Sequence, residues 1–341
     1  MLSQRVNCGL PGKRLGQPCK KVPDSIGRKH VQTTLTRHVG FTGTGLHSGR
    51  PVRLVLRPAP AGHGIVFRRM DVVGLDRLVP ARWDLVEISP LNTRIVNAAG
   101  VSVSTIEHLM AALAGCGVHN ALVEIDGPEV PILDGSAAGF ARAILAAGLV
   151  RQEAPLQAIE ILRTVEVRHG PAMARLRPHQ GDAPRGLVID FEIDFADPAI
   201  GHQGRVLDMA NGAFLRELCD SRTFCRLSDV EAMQAQGLAL GGTFENAVVV
   251  DGAKVLSPGG LRHPDEAVRH KMLDALGDLA TAGLPILGVY EGLRAGHAMT
   301  NRLLRALFER PESWRVVTCD AALEDHLPGS RLKPADLAAV A

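Results

Sequence analysis

The amino-acid sequence predicts an α+β protein of two domains, each a layer of strands covered by a layer of helices. Three observations lead there. The chain has 341 residues, room for about two domains that each bury their own core. Strand-like stretches followed by helix-period apolar spacing occur once before residue 155 and again after it, without sequence similarity between the halves. A content of 46% apolar and 22% charged residues is ordinary for a globular chain.

Composition also excludes classes. A net charge of +2 and 4% aromatics announce neither a polyanion-binding nor a base-stacking surface, so no nucleic-acid partner is expected. No run of about eighteen apolar residues occurs, so no transmembrane segment is expected. Six cysteines, at 8, 19, 116, 219, 225 and 319, form no C-x-x-C pair. That suits free thiols in a reducing cytosol and offers no zinc-finger spacing. Any metal has to be held by His and carboxylate.

Residues 1–30 are basic and aperiodic and read as a disordered extension or an over-extended start. From Gln32 the pattern turns to strand: Thr33 to Val39, a Gly-rich turn at Thr42–Gly45, the alternating Val52–Arg57, then Ile65–Phe67. Residues 72–100 read as short strands and turns. Ile106, Leu109, Met110 and Leu113 make a helical stripe, stopped at Gly115. Glu107 and His108 point away from it. Ser104-x-x-Glu107 also fits a capping box, and His108 an ordinary satisfied histidine. A strand at Asn120–Asp126 and a helix at Ser136–Ala147 complete the first half, about 31–155.

The second half, about 156–312, opens with strands near Gln157–Leu162, Val165–Arg168 and Gly186–Phe195, then a helix near Gly212–Leu218. A β-α-β unit follows: Arg222–Cys225, a helix begun by a Ser228/Glu231 capping box, and Asn246–Val250. After the helix from Pro264 to Leu279 come a strand at Pro285–Tyr290 and a helix from His297 to Arg310, ended by Pro311. The tail beyond is low in pattern.

The helix from Pro264 has two faces. Val268, Met272, Ala275, Leu276 and Leu279 form a core-facing stripe. At about 100° per residue, His270, Lys271, Asp274 and Asp278 share an arc of about 100° opposite it. His and Asp at i,i+4 can reach one metal ion, yet the same arc describes the wet face of any amphipathic helix.

Taken together, His108, His270 and Asp274 offer two nitrogens and one oxygen and leave a fourth position for water, the composition of a catalytic zinc site. Glu107, beside a ligand, suits a general base. His297 stands at a helix N-terminus, whose dipole favours the neutral ring, whereas a carboxylate such as Asp278 would keep it protonated for a general acid. Thr223 can donate to an oxyanion.

The stretches Thr42–Gly49, Ser104–Leu109, Arg222–Phe224, Gly241–Phe244, Val268–Leu279 and Gly296–Ala298 resemble, in order over about 31–310, the UDP-3-O-acyl-N-acetylglucosamine deacetylase family. The resemblance implies a two-domain β-α-α-β sandwich with one small insert per domain, at about 72–100 and 222–250, and a peripheral tail over 313–341. It implies a zinc amidase that removes acetate from UDP-3-O-(3-hydroxyacyl)-N-acetylglucosamine, the committed step of lipid A synthesis in Gram-negative bacteria. The roles it implies are zinc on His108, His270 and Asp274, Glu107 as base, His297 as acid tuned by Asp278, and Thr223 at the oxyanion. Lys271, Phe224, Gly242, Thr243 and Phe244 would contact substrate. Leu238, Leu240, Phe244, Ala247 and Val249 would wall an acyl-chain passage, although each also suits plain core. Such an enzyme would be a cytoplasmic monomer in at most loose contact with the inner-membrane surface. Two departures stand out: Cys225 where Gly often follows Arg-Thr-Phe, and Asn92 where some members carry Cys.

Overall fold

The computed structural model describes residues 31–89, 91–181, 186–330, 332 and 336. The extension expected over 1–30 lies outside them, as does most of the chain beyond 330. The architecture is mixed α+β: two large sheets with helices packed between them.

The first half runs β1 (Val31–Leu35), β2 (Val39–Thr44), β3 (Pro51–Pro58), β4 (Ile65–Arg69), β5 (Leu78–Pro80), β6 (Val86–Glu87), β7 (Arg94–Val96), β8 (Ser102–Val103), α1 (Glu107–Gly115), β9 (Ala121–Ile125), α2 (Ala138–Ala147) and β10 (Leu149–Pro155). Five strands form a sheet in the order β2-β3-β9-β4-β5, and β6, β7 and β8 form a small sheet of their own. On β3 the alternation holds: Val52, Leu54 and Leu56 are buried, while Arg53 and Arg57 are exposed. The expected turn at Thr42–Gly45 is instead mostly strand. Thr42, Gly43 and Thr44 pair with Arg53, Val52 and Pro51, and Gly43 is needed because a Cβ there would lie 2.9 Å from Pro131 Cβ.

The second half runs β11 (Gln157–Ile161), β12 (Val165–His169), β13 (Ala172–Arg177), β14 (Leu187–Asp194), β15 (His202–Asp208), a π-helical turn at Phe214–Leu218, β16 (Phe224–Arg226), α3 (Leu227–Ala235), β17 (Val248–Asp251), β18 (Lys254–Val255), α4 (Glu266–Ala280), β19 (Ile286–Leu293), α5 (His297–Phe308), β20 (Trp314–Thr318) and α6 (Ala321–Glu324). β19 is the centre of its sheet, parallel to β11 and β14 and antiparallel to β13. The patternless segment after Pro311 supplies β20, which extends that sheet along β11. The β-α-β unit forms as expected, with β16 parallel to β17. Its capping box does not: α3 begins one residue early, at Leu227, and the Arg226 side chain at the N-cap pairs with Asp197 rather than capping the helix.

Helix α2 packs on β2, bringing the Phe41 and Phe140 rings to 5.0 Å, while α5 packs on β12 and β13 and α4 on β14. The halves meet where α1 packs against α4. Both helices are therefore buried all round, and the polar arc of α4 is no wet face: His270, Asp274 and Asp278 are only 2%, 4% and 4% exposed. Gly277 permits this approach. A Cβ there would stand 2.0 Å from the Glu107 carbonyl oxygen and 3.1 Å from the Ala111 nitrogen, both backbone atoms that cannot swing aside. Gly277→Ala is expected to cost about 1–3 kcal/mol by overpacking and to part Glu107 and His108 from α4. Urea unfolding together with metal titration checks both effects.

Candidate active site

The site sits at the α1–α4 crossing. Glu107 and His108 occupy the first turn of α1, whose N-cap, Ile106, makes no side-chain bond. The capping box expected from Ser104 and Glu107 is absent because both side chains have other partners. Ser104 Oγ donates to the Pro128 carbonyl at 3.1 Å, and Glu107 Oε2 accepts from the Thr93 N–H at 3.0 Å. Thr105, at φ 57°, carries the chain into the helix in the left-handed region. Its hydroxyl donates to Glu129 Oε1 at 3.0 Å and accepts from Asn92 Nδ2 at 3.0 Å. Asn92 is thus a buried strut behind the site.

His108 Nε2 and His270 Nε2 lie 3.6 and 3.3 Å from Asp274 Oδ1, and the three ligand atoms fall within 4.8 Å of one another. Atoms about 2.0–2.2 Å from one tetrahedral ion stand about 3.3–3.6 Å apart, and both His–Asp274 separations have that spacing. Among the described residues Asp274 Oδ1 accepts no well-formed hydrogen bond, only the longer approach of the two imidazoles, a costly state for a buried carboxylate oxygen unless a cation serves it. His270 Nδ1 donates to the Ser221 carbonyl at 3.0 Å, which aims the Nε2 lone pair at the same point. Burial pushes His270 down to about 4 and keeps the imidazole neutral, the form a metal would need. Burial alone would raise Asp274, but His270 and Lys271 hold it well below the usual carboxylate range. Lys271 Nζ donates to Asp274 Oδ2 at 2.7 Å.

His297 begins α5, and its Nδ1 donates to Asp278 Oδ2 at 2.9 Å. Its Nε2 faces Glu107 Oε1 at 3.8 Å and Asp274 Oδ2 at 3.9 Å. Burial disfavours its charge, yet the carboxylates of Asp278 and Glu107 outweigh burial and carry it up to about 9. The contest between helix dipole and carboxylate goes to the carboxylates. Burial raises Glu107, with His297 and His108 pulling the other way.

A cavity of about 810 Å³ opens over this group. Its walls include Glu107, His108, His270, Asp274 and His297 together with Thr223, Phe224, Gly242, Thr243, Phe244 and Lys271, so the sequence-derived site residues converge. Asp278 lies behind His297 rather than on the wall. Ala247, Val249 and Cys225 line the cavity, whereas Leu238 and Leu240, expected as passage wall, do not. Leu240 is turned away because its Cβ packs over Gly49, and its N–H donates to the His47 carbonyl at 3.3 Å.

Sequence reasoning gave no role to four contributors. His47 lines the cavity and is lowered by burial against the pull of Glu129. Arg222 and Glu266 form a buried ion pair at 2.9 Å that holds Ser221 and Thr223 against the start of α4. Thr93 touches both Glu107 and Asp278. His47 lies in a quoted motif and Arg222 precedes Thr223, so both had a local signal. Thr93 had none.

Residues 32–309 match the UDP-3-O-acyl N-acetylglycosamine deacetylase family. The chain is 51% identical over 287 residues, 84% of its length and 96% of the relative's, to the UDP-3-O-acyl-N-acetylglucosamine deacetylase of Phenylobacterium zucineum (strain HLK1). It is 46% identical to the protein of that name from Anaeromyxobacter sp. (strain Fw109-5), covering 87% of this chain and 95% of that one. A third, from Shewanella frigidimarina (strain NCIMB 400), is 43% identical over 91% of this chain and 99% of its own length. On this match, spanning most of both chains, the protein belongs to the UDP-3-O-acyl N-acetylglycosamine deacetylase family of enzymes.

Proposed function

We propose that this chain hydrolyses the acetamide of UDP-3-O-(3-hydroxyacyl)-N-acetylglucosamine to the free amine and acetate, the committed step of lipid A synthesis, using zinc held by His108, His270 and Asp274. The observation that carries the reading is the unpartnered, buried Asp274 Oδ1 set between two imidazole nitrogens, with an acid and a base beside it. Such a ligand set also accepts ferrous iron or cobalt. When bound, the metal supplies a Lewis acid that lowers the pKa of water and polarises the acetamide carbonyl.

The chain's own residues do the rest. Glu107, held by the Thr93 N–H, takes the proton of the attacking water through Oε1 as the water oxygen bonds to the carbonyl carbon. The Thr223 hydroxyl donates to the oxyanion. His297 then delivers its Nε2 proton to the leaving nitrogen as the C–N bond breaks. Lys271, Phe224, Gly242, Thr243 and Phe244 contact the substrate, whose acyl chain lies along the apolar wall from Phe224 to Val249.

Two outcomes are expected. Thr223→Val lowers kcat by about 10²–10³, the worth of one oxyanion donor, as steady-state kinetics will show. Asp278→Asn removes a charge that helps carry His297 up to about 9. Activity needs protonated His297 and is lost as pH rises through that pKa, so the basic limb of the pH–rate profile should move to lower pH.

The same reading gives a cytoplasmic monomer of two α+β domains dividing near 155/156, with inserts at about 72–100 and 222–250 and a tail over 313–341. The pairing of β1 with β10, which closes 31–155 on itself, supports that division. No helix of the described residues is long and apolar enough to cross a membrane, and the lipid-bearing substrate favours loose contact with the inner-membrane surface. The reading is tested by comparing acetate release from the 3-O-acylated substrate with release from the same sugar nucleotide lacking the acyl chain. A much higher kcat/KM for the acylated compound is expected. Equal values would point to a different amide.

A further inference from the structure

We propose that Thr93 is a positioning residue that couples the general base to the general acid: its backbone N–H fixes Glu107 and its hydroxyl fixes the Asp278–His297 pair. The inference rests on the roles proposed above for Glu107 and His297. Thr93 stands just ahead of β7, in the segment joining β6 to β7, and is 3% exposed. All three of its polar groups are spent on the site. The N–H donates to Glu107 Oε2 at 3.0 Å, the hydroxyl donates to Asp278 Oδ1 at 2.5 Å, and the carbonyl accepts from the Ile106 N–H at 3.3 Å, at the entry to α1. The hydroxyl oxygen also lies 3.3 Å from His297 Nδ1.

The consequences follow from which lone pairs remain. With Oε2 of Glu107 taken, Oε1 is left to face His297 Nε2 and the attacking water. Asp278 is pinned at both oxygens, Oδ1 by Thr93 and Oδ2 by His297 Nδ1, so the carboxylate cannot rotate and the imidazole keeps its Nε2 in the site. Base and acid sit on helices from opposite halves of the chain, yet both are referenced to one residue. Reacting groups gain rate from such fixed geometry, and small misplacements are costly.

The test uses full-length, metal-loaded Thr93→Val, which keeps the shape and the N–H but loses the hydroxyl, beside Thr93→Ser, which restores it. Valine should lower kcat by about 10- to 100-fold, the worth of a hydrogen bond to a charged group, with KM within about twofold and metal content unchanged. Serine should recover most of the rate. In a His297→Ala background the valine substitution should add less than about twofold, because the hydroxyl acts through that imidazole. Independently of any substrate, the His297 Nδ1–H proton resonance should shift in the valine variant, whose Asp278 has lost a donor, and return in the serine variant. If valine unfolds the protein, Thr93→Ala gives the same comparison. Wild-type kcat and an unmoved resonance in Thr93→Val would overturn the proposal. So would an equal loss in the serine variant, or a full loss that persists without His297. Failure of the wild type to release acetate would instead count against the substrate assignment, and the resonance comparison would still decide Thr93.

Discussion

A His270→Ala variant is expected to purify folded, without metal and without measurable acetate release. His270 offers one of the three atoms of the candidate ligand set, and its ring is oriented by the Ser221 carbonyl. His270 makes a cleaner probe than Asp274. Truncating Asp274 would strip Lys271 of its carboxylate partner and leave a buried charge unpaired, which destabilises the fold by about 3–5 kcal/mol in its own right. Removing an imidazole that burial already keeps neutral leaves no such charge behind. Elemental analysis and thermal unfolding of the same sample separate metal loss from misfolding. Stoichiometric metal in the variant would remove His270 from the ligand set.

The Glu107→Ala variant should differ in kind: metal retained, kcat lower by about two to four orders of magnitude, the usual contribution of a general base. Glu107 is placed for proton transfer rather than ligation, since Oε2 is held by the Thr93 N–H and Oε1 looks toward His297. Burial makes it a stronger base than an exposed carboxylate. Near-normal turnover in a metal-loaded Glu107→Ala would assign the proton to another group.

Local pattern carries only part of this site. The helical stripes of α1 and α4 and the alternation of β3 and β14 are local patterns, and they placed Glu107, His108, His270 and Asp274 on the right elements. What local pattern could not convey was that the α4 polar arc would be buried, because its cover, α1, comes from far along the chain. Gly277, a glycine in a helix interior, was the visible trace of that contact. β13 and β15 escaped notice because they carry Arg, Gln and His among their apolar residues, and β20 because its pattern is faint. Both capping boxes failed as signals once the structure gave the helices other N-caps. Thr93 was illegible for a simpler reason: its partners Asp278 and His297 are 185 and 204 residues away, and the neighbouring Asn92 drew notice only as a departure from the family pattern.

The most direct test of the whole account is acetate release from UDP-3-O-(3-hydroxyacyl)-N-acetylglucosamine by one preparation, measured before chelation, after rigorous chelation, and after zinc is restored. Activity should disappear and return. Activity untouched by complete removal of metal would contradict it.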